Sequence, residues 1–141
     1  MSRVINTDGP GKKRNQLMRT SAELLRRLSQ KQDIDDEAKD MLALLVFSLR
    51  EIDEGIDESA LAWEKRDYWV KAEEFRKRWA WAGLMSSDLQ TLVLKAEWNR
   101  LPQMMIKLLP YFADVKITKL TRKDDLWQGS YARLVSENPP R

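Results

Sequence analysis

The residues of this chain best suited to binding chemistry are its tryptophans, four of which, out of six, lie between positions 63 and 81. On a single helix Trp63, Val70 and Trp81 would share one face, because separations of 7 and 11 residues span about five turns. The cations bordering that face are Arg66, Lys77 and Arg78. Aromatic side chains set among cations can anchor a partner helix or stack nucleobases.

The same predicted helix carries a second apolar side, which includes Leu61, Phe75 and Trp79. A helix that is apolar on two sides is ordinarily buried on both, either within one core or across a dimer. Binding of a partner helix and stacking of nucleobases are the two functional alternatives. We expect the face of Trp63, Val70 and Trp81 to be a contact surface.

A group of basic residues near the N-terminus could contact phosphate groups. Residues 1–32 carry eight basic and two acidic side chains. The candidate phosphate contacts are Lys12, Lys13, Arg14, Arg19, Arg26 and Arg27. No helix-turn-helix, zinc-finger or ribonucleoprotein signature accompanies them. The pattern is typical of a solvated face and predicts at most weak, salt-sensitive nucleic-acid binding without sequence readout.

An acidic stretch follows, since residues 33–58 carry two basic and ten acidic side chains. Carboxylates near a turn can hold a hard cation such as magnesium. Glu51 and Glu54 form one Glu-x-x-Glu pair of the kind found in helical nucleotide hydrolases, but the sequence has no second pair. We therefore expect no metal site here, and interpret the stretch as a solvated helix end that faces the basic arm.

The sequence contains no cysteine and no histidine, which excludes several classes of site. Disulfides, zinc sites with Cys or His ligands, thiol nucleophiles and Ser–His catalysis all need one of these residues. We predict no cofactor and no enzymatic activity. The longest apolar run has seven residues, far short of a membrane span. We accordingly predict a cytoplasmic protein with no membrane partner.

Apolar periodicity and capping residues predict the helices that position these side chains. The first three should cover about 15–32, 35–52 and 57–82, with Gly55 as an interruption and Gly83 as a C-terminal stop. A capping box at Ser87–Gln90 should begin a fourth helix. Pro102 should either kink this helix or start a new one, and the helical pattern should end at Pro110. An extended connection at 115–120 and a last helix over 123–137 should follow, burying Trp127, Tyr131 and Leu134.

These elements predict an all-α fold, an antiparallel bundle of four main helices plus a shorter C-terminal helix. Residues 1–14 should form a flexible basic arm, residues 15–137 one domain, and residues 138–141 a tail. The predicted function is non-catalytic: an interaction or assembly protein acting through helix-helix contacts, as a homodimer or with a protein partner. The alternatives are an accessory nucleic-acid-binding subunit and, more remotely, a carboxylate-metal hydrolase.

Overall fold

The structure, a computed structural model, describes residues 9–139. These residues are helices joined by turns and contain no strand, so the predicted all-α class is confirmed. Three helices are long, and the chain after Leu94 is divided among short ones where the sequence predicts a fourth long helix. The helices are α1 (Gly9–Ser29), α2 (Asp36–Glu64), α3 (Trp69–Leu94), α4 (Leu101–Leu108), α5 (Asp124–Trp127) and α6 (Ser130–Glu137), with 3-10 helices at Trp98–Arg100 and Leu109–Phe112.

Helix α2 lies at the centre of the fold, as its sequence predicts. It contacts α1, α3, α5 and α6. Its first half is apolar around most of its circumference, and such a helix is stable only when neighbours cover it on several sides. The side chains buried there include Met41, Leu42, Leu45, Val46 and Leu49.

Helix α2 continues through Gly55 to Glu64, so the predicted end near Ile52 is wrong. Ile52, Ile56 and Ala60 follow one another at four-residue intervals, and all three are buried. A glycine inside a helix costs about 1 kcal/mol relative to alanine. Complete burial of one isoleucine contributes roughly 1.5–3 kcal/mol, so the continuous buried face outweighs the glycine.

Helix α1 begins at Gly9, well before the predicted start at residue 15. Residues 9–14 of the predicted arm are therefore helical, and residues 1–8 of that arm lie outside the described residues. Pro10 is tolerated because a backbone N–H in the first turn of a helix has no partner within that helix, so proline loses no hydrogen bond there. The early start places Lys12, Lys13 and Arg14 on a helix that packs against α2.

Helix α3 runs through Gly83 and Ser87, so neither the predicted stop nor the predicted capping box forms. Gly83 serves instead as a point of close approach, because a Cβ there would lie 2.7 Å from Cγ of Asp53 on α2. Ser86 donates a hydrogen bond to the carbonyl of Val46 at 2.9 Å. Ala82, Leu89 and Val93 are buried, so contacts with α2 hold this stretch helical.

The C-terminal third covers the remaining sides of α1 and α2. Pro102 lies in the first turn of α4, which is one of the two predicted outcomes. Residues 113–123 form no helix and no strand, in line with the predicted extended connection. The predicted last helix is divided at Gly129, which has a φ of +81° and separates α5 from α6. Trp127 and Leu134 are buried, and Tyr131 is partly buried.

Candidate functional site

The connection between α2 and α3 is a tight turn of four residues, 65–68, that replaces the predicted continuous helix. The N–H of Tyr68 donates to the carbonyl of Trp63 at 2.9 Å, and the N–H of Asp67 donates to that of Glu64 at 3.0 Å. Asp67 has a φ of +64°. This pair of hydrogen bonds around a left-handed residue is the Schellman motif, which terminates a helix. Aspartate tolerates the conformation better than most residues.

Four large apolar side chains are exposed around this turn. Val70 is 70% exposed, Trp69 58%, Tyr68 54% and Leu61 46%. They belong to the last turn of α2, the connecting turn and the first turn of α3, and we call residues 61–70 the hairpin tip. Exposed apolar side chains gathered at one end of a molecule are a mark of an interaction surface.

The hairpin tip also carries charges of both signs. The side chains of Lys65, Arg66 and Asp67 are exposed and form no ion pair among residues 9–139. One turn below, Arg76 of α3 binds the carboxylates of Glu64 and Asp57 on α2. Glu64 and Arg76 thus hold the two helices together, while Lys65, Arg66 and Asp67 of the tip have no such partner among the described residues.

Trp63 does not share a helix with Val70 and Trp81, so the predicted single strip is wrong. The break at 65–68 places Trp63 at the end of α2 and the other two residues on α3. Trp63 packs against Phe75, with ring centroids 4.7 Å apart, and the ammonium of Lys71 lies 4.5 Å from the Trp63 ring. Trp63 is therefore partly buried, and its contacts hold the end of α2 against α3.

Trp81 is likewise engaged within the chain. Its ring stacks on Tyr111 with centroids 4.2 Å apart and planes inclined by 6°, and it meets Phe112 edge-on at 5.6 Å. Trp79 lies beside it at 5.8 Å. This aromatic group connects α3 to the 3-10 helix after α4. The other cations of the predicted surface, Lys77 and Arg78, are exposed on α3.

The predicted phosphate contacts have different surroundings from one another. Lys12 and Lys13 are exposed, and Lys13 lies 3.9 Å from Glu51 of the acidic stretch. Arg14 stacks over Phe75 at 5.1 Å and Trp79 at 5.4 Å. Burial lowers the pKa of Arg14, although a guanidinium remains charged at any ordinary pH. The basic start of α1 thus faces α2 and α3.

Arg19, Arg26 and Arg27 bind the backbone of the segment between α4 and α5. Their guanidinium groups donate to carbonyl oxygens of residues 116–122 at 2.7–3.2 Å. Arg27 also lies 5.2 Å from the ring of Trp127. An irregular segment lacks the regular backbone hydrogen bonds of a helix or a sheet, so side-chain donors must satisfy its carbonyl oxygens. These three arginines therefore have a structural role, which is to bind those carbonyl oxygens.

At the centre of this arrangement is Glu23, which the sequence analysis does not identify. Its buried carboxylate accepts hydrogen bonds from the Thr121 hydroxyl, from the backbone N–H groups of Thr121 and Arg122, and from Arg19, all at 2.7–2.8 Å. Burial raises the pKa of Glu23, but these hydrogen bonds, that of the Arg122 backbone first, outweigh burial and lower it to about 2. The sequence signal that could have indicated Glu23 is its position as the one carboxylate among the arginines of α1.

The acidic stretch faces the start of α1, as the sequence predicts. Glu51, Glu54 and Glu58 line a cavity of about 330 Å³ opposite Lys13 and Arg14. Burial, and then repulsion from Asp57, raise the pKa of nearby Asp53. The part of the chain that the structure describes holds no group of three or more acidic side chains placed to bind a metal ion.

A second cavity, of about 540 Å³, also borders Arg14. Its lining combines aromatic and charged side chains from all three long helices, namely Pro10, Gly11, Arg14, Glu58, Ser59, Ala62, Trp63, Arg66 and Phe75. It brings together Arg14, Trp63 and Arg66, which the sequence analysis assigned to two separate surfaces. Pro10, Arg14 and Glu58 belong to both cavities.

Among residues 9–139, no helix is long and apolar enough to cross a lipid bilayer. Comparison of the chain with models of protein families, with curated proteins and with solved structures finds no match.

Proposed function

We propose that this protein is a non-catalytic helical interaction protein that forms a homodimer through the hairpin tip. One observation supports the proposal above others: Leu61, Tyr68, Trp69 and Val70 are all about half exposed or more, and they lie within one turn of helix on either side of the same connection. Trp and Tyr are enriched at the centres of protein interfaces because they bury a large area at little cost in conformational entropy.

The charges of the tip favour a second copy of the chain as the partner. In a symmetric dimer each tip meets the same surface on the other subunit. Lys65 and Arg66 of one copy could then face Asp67 of the other, since none of the three has an ion-pair partner among the described residues. A surface of mixed sign is compatible with itself, whereas a surface of one sign would repel its copy.

The expected association is weak. Completing the burial of a side chain that is already about half covered contributes roughly 1 kcal/mol, so the four from each copy contribute about 8 kcal/mol together. Association costs about 4 kcal/mol or more. The difference is at most about 4 kcal/mol, which corresponds to a dissociation constant of about 1 mM or weaker, so self-association should appear only at high protein concentration.

Light scattering over a concentration series tests this proposal. The mass of the wild-type protein should rise with concentration towards that of a dimer, and Trp69→Ser combined with Val70→Ser should keep the protein monomeric. Leu84→Ser is the matched control, because Leu84 on α3 is 67% exposed, close to the exposure of Val70, and lies outside the tip. A wild-type protein that stays monomeric, or a dimer that the tip variant leaves intact, would refute the proposed interface.

A further inference from the structure

Arg14 is held in place by aromatic rings and not by hydrogen bonds. Its guanidinium lies 5.1 Å from the Phe75 ring and 5.4 Å from the Trp79 ring. Contacts of this kind fix the plane of the group but use none of its five N–H donors. Within residues 9–139 no carboxylate or carbonyl oxygen binds those donors.

The other arginines of α1 make the contrast clear. Arg19, Arg26 and Arg27 each donate to carbonyl oxygens, and Arg19 also binds the carboxylate of Glu23. A partly buried guanidinium without an acceptor loses hydration at its N–H groups, and contact with the aromatic rings does not replace the lost hydrogen bonds. A rigid fork of unused donors matches two oxygens of a bound oxyanion.

The cavity of about 540 Å³ beside Arg14 gives such an oxyanion a defined place. Arg66 lines the same cavity and has no ion-pair partner among the described residues. Trp63 and Phe75 form its aromatic wall, and Glu58 is its carboxylate.

We propose that this cavity, the Arg14 groove, binds a small ligand that carries a phosphate group next to a planar ring, such as a nucleoside monophosphate. The two guanidinium groups offer paired N–H donors to one oxyanion, and a phosphate monoester presents three acceptor oxygens to them, whereas a carboxylate presents two. The planar ring packs on the wall formed by Trp63 and Phe75. Glu58 accepts a hydrogen bond from a hydroxyl or amino group of the ligand. The groove shares Arg66 and Trp63 with the tip but includes none of its four exposed apolar side chains, so a tip variant lacking Trp69 and Val70 can lose the dimer and still bind the ligand.

Isothermal titration with adenosine 5′-monophosphate as the probe tests the groove. The probe should bind the wild-type protein, and adenosine and inorganic phosphate should each bind at least about tenfold more weakly, since each lacks one of the two recognised parts. Inorganic phosphate that binds as tightly as the monophosphate would refute the role of the ring. Adenosine that binds as tightly would refute the role of the arginines.

Two variants assign the binding to named side chains. Arg14→Gln and Arg66→Gln should each weaken binding by about tenfold or more, because each removes a charged hydrogen bond. Arg66 is exposed, so its variant should fold even if Arg14→Gln does not. Arg78→Gln, on α3 outside the groove, is the control and should bind like the wild type. No binding of the probe, or equal binding by the Arg66 and Arg78 variants, would overturn the proposal.

Discussion

Thr121 donates two hydrogen bonds to the carboxylate of Glu23, one from its backbone N–H and one from its hydroxyl, each 2.7 Å long. The two residues are 98 positions apart in the sequence. The N–H of Arg122 donates to the same carboxylate at 2.8 Å. Because Glu23 is fully buried, these donors take the place of water. This carboxylate fastens the irregular segment between α4 and α5 to α1.

We predict that Glu23→Gln lowers the free energy of unfolding by about 3 kcal/mol. The amide replaces one acceptor oxygen with an NH₂ group that faces existing donors, and unsatisfied buried donors are costly. Urea denaturation measures the change. Glu73→Gln is the control, since exposed Glu73 only pairs with Lys77 at 3.5 Å and should change stability by less than about 0.5 kcal/mol. Similar losses in both variants would contradict the role of Glu23.

The low pKa of Glu23 predicts a specific loss of stability in acid. Its pKa is about 2 in the fold against an ordinary 4.5, so the ionised carboxylate favours the folded state. That contribution is complete above the unfolded pKa and is lost as the pH falls from about 4.5 towards 2. Unfolding midpoints measured over this range should fall more steeply for the wild type than for Glu23→Gln. Parallel curves would show that other groups govern the acid response.

The sequence predicted the helices well where burial alone determines them. The apolar circumference of α2 indicates a central helix, and the structure has it there. Glycine and serine were less informative about where helices end. Gly55, Gly83 and Ser87 all lie inside helices because buried neighbours on the same face stabilise the helical conformation. The true break falls at Asp67, where a left-handed residue other than glycine gives little local signal.

The candidate sites were harder to predict, because they depend on pairs that are distant in sequence. Glu23 receives most of its donors from residues 121 and 122. Arg14 meets Phe75 only because α1 begins early enough for this side chain to reach α3. The sequence predicts the helix break near Gly55, but it falls at residues 65–68. Trp63 and Trp81 therefore lie on different helices and do not form the predicted surface. Local periodicity contains no information about such pairings.

We predict that Ala96→Gly stabilises the fold by about 0.5–1 kcal/mol. Ala96 has a φ of +53° at the end of α3, a conformation that is unfavourable for a residue with a Cβ. Ala80→Gly is the matched control, because Ala80 is exposed inside the same helix and the change there should cost about 1 kcal/mol. Thermal or urea unfolding measures both. Destabilisation by both substitutions would contradict the assigned backbone conformation.

We predict that Trp81→Ala lowers the free energy of unfolding by about 2–3 kcal/mol. The ring is partly buried and stacks on Tyr111, so its loss leaves a cavity between α3 and the 3-10 helix after α4. Trp69→Ala should cost less than about 0.5 kcal/mol, because Trp69 is 58% exposed. If the two variants unfold alike, Trp81 does not connect these elements.

The most direct test of the homodimer is the distance between the hairpin tips of two chains. The chain contains no cysteine, so Glu74→Cys places one spin label on the exposed surface of α3, one turn from the tip and outside the four apolar side chains of the proposed contact, and Ile106→Cys places one on α4. We predict that pulsed dipolar spectroscopy at high protein concentration finds a short, defined distance between the labels at position 74. The labels at position 106 should show a longer distance or none. Equal distances at the two positions, or no dipolar coupling at position 74, would contradict the proposed dimer.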